Sequence, residues 1–223
     1  MLFPYGEDLD AMDAALKRND VTLVNFNLPA GNFAAGDRGI ANDPRRVEEF
    51  QTGVQQAISL ANRFKCPRMN CIAGKLLEDI SVSEQWATLR SNLQHAATVG
   101  AEHGVVQMVE PLNLIDTPGY IICSPHRAFS LIEEVAHPNL KVEYDLYHAQ
   151  RMEGDLTNTI RDHIGQIGHI QIADNPGRHE PGTGEINFPF IFRVLDDAGY
   201  DGWVSLEYIP SGRTEDSFGW MPR

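Results

Sequence analysis

Short apolar runs alternate along this chain with longer stretches whose apolar side chains recur at helical period. VTLVNFN (21–27) is rich in β-formers and predicts a strand. A loop with several glycines follows, LPAGNFAAGDRGIA, and then Asp43 as a helix N-cap with Pro44 in the first turn. Behind it Val47, Phe50, Val54, Ile58 and Ala61 fall on one face of a helix. RMNCIAG (68–74) predicts the next strand, and Trp86, Leu89, Leu93 and Ala97 mark a helix that stops near Gly104. VVQMVE leads to a helix around Phe129, Ile132 and Val135. LKVEYD leads to one carrying Leu156, Ile160 and Ile164. IGHIQIAD leads to one with Phe190, Val194 and Leu195 that ends at Gly199, and GWVSLEY is the last strand.

Strand and helix thus succeed each other every roughly 25–40 residues, the pattern of βα units wound around a parallel sheet. The strand runs are nearly continuous in apolar residues, as strands covered on both faces must be. No linker, low-complexity tract or long charge run interrupts residues 1–223, which read as one α/β domain.

Three of the apolar runs finish on an acid. VVQMVE ends on Glu110, LKVEYD on Asp145, and GWVSLEY reaches Glu207. In parallel βα proteins the carboxyl ends of the strands lie together in space and carry the chemistry. Gln171, near the end of IGHIQIAD, adds an amide oxygen, and Asp174 is a rival at the same strand end. Glu143 shares its parity with Asp145 and reads as structural. Three carboxylates in a half-buried mouth cannot all stay ionised unaided, and a divalent cation removes the conflict. All-oxygen ligands suit Mg2+ or Mn2+ rather than Zn2+. Such an ion polarises a carbonyl and its neighbouring hydroxyl and stabilises an enediolate, while flanking carboxylates move a proton between adjacent carbons.

Composition narrows the setting. The 223 residues are 42% apolar and 22% charged, as in ordinary globular proteins. No apolar stretch approaches the about 18 residues that cross a bilayer, so no membrane partner is expected. MLFPYGEDLD does not read as a secretory signal. Cys66, Cys71 and Cys123 form no close pair, which argues against a disulfide framework or a zinc knuckle and for a reducing, cytoplasmic setting. A net charge of −13 repels nucleic acid, and it obliges a protein handling an acidic metabolite to supply a local positive centre. No GxGxxG follows the first strand, so neither a nicotinamide nor a flavin is expected.

The stretches NLPAGNFAAGDRGIA (27–41), YDLYHAQRMEGDLTNTI (144–160) and GHIQIADNPGRHEPGTGEINF (168–188) resemble the hydroxypyruvate isomerase family, within the xylose-isomerase-like TIM barrels. The resemblance runs from about residue 2 to about residue 209. It implies a (β/α)8 barrel and interconversion of hydroxypyruvate with 2-hydroxy-3-oxopropanoate, a small hydroxy-oxo acid pair. It implies Glu110, Asp145, Gln171 and Glu207 as ligands of Mg2+ or Mn2+, with Glu110 and Glu207 as the acid/base pair. His148 of DLYH then faces the substrate. Arg178 of NPGRHEPG is the candidate for holding the substrate carboxylate, with Arg38 of the glycine loop as a rival.

Counting strands gives seven where the family barrel has eight. MLFPY matches the end of the family's second strand, so a first strand and helix are expected to be missing. An unpaired apolar edge would then favour self-association as a homo-oligomer. Related readings are a 2-oxo-tetronate isomerase, a ketose 3-epimerase, or a truncated barrel without turnover. An inositol-pathway dehydratase and an apurinic endonuclease are further scaffold relatives. The endonuclease is disfavoured by the acidic charge and by the shortage of strand-end histidines.

Overall fold

A computed structural model describes residues 3–221. Five strands form one sheet in the order of the chain: β1 (Arg68–Cys71), β2 (Val106–Val109), β3 (Leu140–Asp145), β4 (Ile167–Ile172) and β5 (Val204–Leu206). Every neighbouring pair is parallel. The connections carry the helices α2 (Val47–Phe64), α3 (Val82–Glu102), α4 (Pro125–Val135), α5 (Leu146–Met152), α6 (Leu156–His163) and α7 (Phe188–Asp197), preceded by α1 (Leu9–Asn19). A parallel sheet in sequential order with helical crossovers is the winding of a βα barrel.

Strand parity separates two surfaces. Met69, Cys71, Val109, Val142, Tyr144, Ile170 and Ile172 are buried and join one apolar core with Leu89, Leu93, Phe129, Ile132, Ile160 and Ile191 of the helices. The alternate positions on the other face are mostly polar, with Val106 and Met108 of β2 among the exceptions, and several pair across strands. Asn70 donates to Glu110 at 2.9 Å, and His169 lies 2.8 Å from Ser205. Asp145 and Gln171 are register partners, and Gln171 is in turn level with Ser205. The apolar side of each strand therefore holds the helices, and the polar side is left for chemistry.

The expected helices are present with adjusted limits. Asp43 caps a 3-10 turn over Pro44–Arg46 that runs into α2. Ile164 falls in a 3-10 turn after α6, and Phe190 of α7 is exposed while Phe188 and Ile191 take the buried face. Two helices were not expected: α1, capped by Asp8, and α5, capped by Asp145 itself.

Among the described residues the seven expected strands are corrected to five. VTLVNFN is not a strand: it touches β1 through one bridge, Asn27 to Asn70, with bonds of 2.9 Å from Asn70 N–H to Phe26 and 2.8 Å from Leu28 N–H to Asn70. Among the described residues, 21–25 have no ladder on either side, and a strand without a neighbour has no bonds to hold it. GWVSLEY pairs only over Val204–Leu206, leaving Trp203 58% exposed and Val21, across the gap, 56% exposed. Of MLFPY, Phe3–Tyr5 form no strand, and residues 1–2 lie outside the described range. Between residues 21–27 and β5 the barrel wall is open, over a cavity of about 490 Å3.

The loop after β4 is organised by one buried carboxylate. Asp174 accepts four backbone N–H groups, from Asn175 and Ile186 on one oxygen (2.9 and 3.1 Å) and from Gly182 and Gly184 on the other (2.8 Å each). Asp174→Ala is expected to lower the unfolding free energy by about 3 kcal/mol, because buried donors lose a charged acceptor. Urea denaturation checks this, and an unchanged midpoint would contradict it.

Candidate active site

Glu110, Asp145 and Glu207 are carried to one place by the C-terminal ends of β2, β3 and β5. Glu110 is fixed at both ends of its residue. Its side chain accepts from Asn70, and its carbonyl accepts at 3.2 Å from the Tyr120 hydroxyl, which itself accepts from Ala73 N–H at 2.6 Å. Asp145 is fully buried, with one oxygen on Tyr147 N–H at 2.8 Å. Its other oxygen lies 3.5 Å from both His148 Nε2 and Arg178 Nη2. Glu207 pairs with Arg178 at 2.7 Å.

The electrostatics follow from this crowding. Burial lifts the Glu110 carboxyl well above its usual range, and Glu143, Glu207 and Asp145 push it further. Burial likewise raises Glu143, then Glu207 and Asp145 add to it; Asn25 opposes with a 2.8 Å hydrogen bond. Glu207 is lifted to about 7, first by burial and then by Asp145, against the pull of Arg178. Glu143, read from sequence as structural, lies one layer below Asp145 and is the largest charge acting on Glu110.

His148 is neutral, because burial lowers its pKa more than Asp145 raises it. Asn113 donates to its Nδ1 from the backbone at 3.2 Å and from the side chain at 2.7 Å. The amide orientation of Asn113 is fixed by two backbone N–H groups on its Oδ1. Nδ1 is therefore the acceptor and Nε2 carries the proton, facing Asp145.

Glu110, Asp145 and His148 each place a potential ligand atom within 4.8 Å of one another, a possible acidic/histidine metal site. The tautomer just derived makes His148 a donor, not a ligand. A better third donor is Gln171. Its Oε1 is buried with no hydrogen-bond partner among the described residues, and it lines the same cavity as Glu110 and Glu207. An orphaned amide oxygen beside carboxylates that repel one another is the donor set a hard divalent cation satisfies. Asp174, the rival, has both oxygens committed to the loop backbone. On the outer side, Glu110, His148, Arg178 and Glu207 line a chamber of about 190 Å3 that Phe33 and Arg38 also wall.

The sequence profile of the xylose isomerase-like TIM barrel matches residues 1–223. The chain belongs to the xylose isomerase-like TIM barrel family. It is 44% identical to the hydroxypyruvate isomerase of Escherichia coli, over 99% of this chain and 85% of that protein. It is 39% identical to the 2-oxo-tetronate isomerase of Cupriavidus necator, over the same shares. A crystal structure from Brucella melitensis, described as an AP endonuclease of family 2, superposes with a TM-score of 0.95 at 42% identity, covering 98% of this chain and 84% of that one.

Of the predicted carboxylate ligands, Glu110 and Asp145 stand in the close group with His148, and Glu207 stands outside it. Glu110, Asp145, Gln171, Glu207, His148 and Arg178 all border the two cavities or the ion pairs between them. Arg178, however, turns its guanidinium onto Glu207 and Asp145 rather than into free space. Two residues the sequence did not single out support the site, Asn113 beneath His148 and Asn70 beneath Glu110. Asn70 had a signal: with Arg68 it makes the interior parity of RMNC polar.

A carboxyl whose pKa is higher folded than unfolded favours folding below about 4.5 and withdraws that contribution as pH rises through its folded value. In chelator, the protein is therefore expected to lose thermal stability between about pH 4.5 and 7 as Glu207 ionises, with Glu110 and Glu143, whose pKa values are raised in the same direction, adding to the loss as pH rises. Melting curves across this range check the sign. Glu207→Gln should flatten the part up to pH 7, and an equal slope in both proteins would contradict the assignment.

Proposed function

We propose that this protein is a metal-dependent isomerase that interconverts hydroxypyruvate and 2-hydroxy-3-oxopropanoate. The observation that carries the reading is the convergence of Glu110, Asp145 and Glu207, with the unpartnered Gln171 oxygen, beside a chamber sized for a three- or four-carbon acid. The named activities of relatives at 44% and 39% identity support it.

Glu110, Asp145, Gln171 and Glu207 would hold Mg2+ or Mn2+, which supplies Lewis acidity at the two oxygens of an α-hydroxy carbonyl. The residues do the rest. Of the pair Glu110 and Glu207, one removes a proton from C3 of hydroxypyruvate, leaving an enediolate. A proton returned to C2, with transfer of the hydroxyl proton to the other oxygen, gives the semialdehyde without gain or loss of electrons. His148 directs its Nε2–H toward this locus and steadies a substrate oxygen. Arg178 offsets the charge of Asp145 and Glu207. No nicotinamide or flavin takes part in such a proton shift.

The four-carbon 2-oxo-tetronates are the second reading, favoured by the relative at 39% identity. A nucleic-acid substrate is disfavoured by the −13 charge, despite the description of the Brucella structure. Three free cysteines fit a cytoplasmic setting, and no helix among the described residues is long and apolar enough to cross a membrane.

Purified protein with Mg2+ or Mn2+ is expected to convert hydroxypyruvate, read through a coupled semialdehyde reductase. A 2-oxo-tetronate is offered in parallel. Chelator should abolish turnover, and Glu207→Gln should lower kcat about 1,000-fold. Turnover of neither acid, or turnover indifferent to chelator, would refute the reading.

A further inference from the structure

An anionic substrate must enter a chamber whose walls already carry Glu110 and Glu207, in a protein of net charge −13. Two guanidinium groups line that chamber, Arg178 and Arg38. Arg178 is spent on the protein's own acids. Its Nη2 pairs with Glu207 at 2.7 Å and faces Asp145 at 3.5 Å, its Nε donates to the Glu207 carbonyl at 3.3 Å, and its plane lies 5.2 Å over the Tyr147 ring.

Arg38 is differently placed. Among the described residues only its Nη1 is used, on the carbonyls of Asp37 (2.6 Å) and Phe33 (3.3 Å), and the group lies 4.7 Å over the Phe33 ring. It forms no ion pair with a carboxylate among the described residues. Asp37, the nearest acid in sequence, is drawn off by Arg46 at 2.8 Å and by Asn32 N–H at 2.7 Å. The loop that carries Arg38 is pinned rather than free. Gly39 has φ +96°, donates to the Ala30 carbonyl at 3.0 Å, and sits so close to β1's end that a Cβ there would lie 1.9 Å from the Ile72 carbonyl oxygen. Ala41 N–H then bonds Ala73 at 2.9 Å. Phe3 packs edge-on against Phe33 at 5.1 Å and closes the same wall.

We infer that Arg38, not Arg178, is the residue that holds the substrate carboxylate and selects acids over neutral sugars of equal length. The inference rests on the proposed hydroxy-oxo acid substrate. The acid group sits toward Arg38 and Phe33, and the carbons that exchange a proton sit toward Glu110 and Glu207. Arg178 stays with the carboxylates it neutralises.

The test compares Arg38→Met, Arg38→Lys and Arg178→Met with the wild type, all loaded with Mn2+. Arg38→Met is expected to raise KM for hydroxypyruvate about 10- to 100-fold, the loss of one charge-assisted contact, with kcat within about threefold. Arg38→Lys should recover part of it. Calorimetry with glycerate, a three-carbon acid that cannot isomerise, should show the same weakening, with Mn2+ affinity unchanged within about threefold. Glycerate binding that depends on Arg38 in a protein without turnover would sink the isomerase reading and leave this inference standing. Glycerate affinity unchanged in Arg38→Met, weakened only in Arg178→Met, or absent from the wild type would overturn the inference.

Discussion

Mutual repulsion among buried carboxylates is the constraint around which this molecule is arranged. Parallel pairing of β2, β3, β4 and β5 brings Glu110, Asp145 and Glu207 to one end, with Glu143 one layer below. Four acids in so dry a place cannot all stay ionised unaided. The protein answers with partial remedies. Asn70 and Asn25 donate to Glu110 and Glu143, Arg178 pairs with Glu207, and burial raises the Glu110 and Glu143 carboxyls toward their neutral forms. The Gln171 oxygen still has no hydrogen-bond partner among the described residues. In the proposed reading, Glu110, Asp145, Gln171 and Glu207 would satisfy this remainder by holding a hard cation, which would supply Lewis acidity beside the acid/base pair.

The two arginines at the chamber divide a task that sequence alone assigns to one. A guanidinium already bonded to two carboxylates has little left for a third, whereas one held by backbone carbonyls keeps its charge for a ligand. The glycine loop matters for this reason. Gly39 lets the backbone approach β1 closely enough that Arg38 is presented at the strand end.

Much of the fold was legible because its signals are local and periodic. Apolar runs, caps such as Asp43 and stops such as Gly104 report backbone chemistry that tertiary context seldom reverses. The acids at strand ends were legible for a related reason: parallel topology converts sequence position into spatial position. Residues 21–27 misled because β-propensity describes a surface that packs, not a strand that has found a partner. The tie between Gln171 and Asp174 could not be broken from composition, since it depends on which oxygen the loop backbone claims. The tautomer of His148 depends on Asn113, 35 residues away, and no spacing rule conveys it. Helix α5 was hidden because its cap, Asp145, had been read only as a ligand.

The central claim is that one cation answers the repulsion of this cluster, and anomalous diffraction from crystals grown with Mn2+ tests it most directly. The account predicts a single strong peak in the barrel mouth, about 2.0–2.4 Å from oxygens of Glu110, Asp145, Gln171 and Glu207. A mouth without a peak at saturating Mn2+, or a peak that leaves any two of these side chains out of reach, would contradict it.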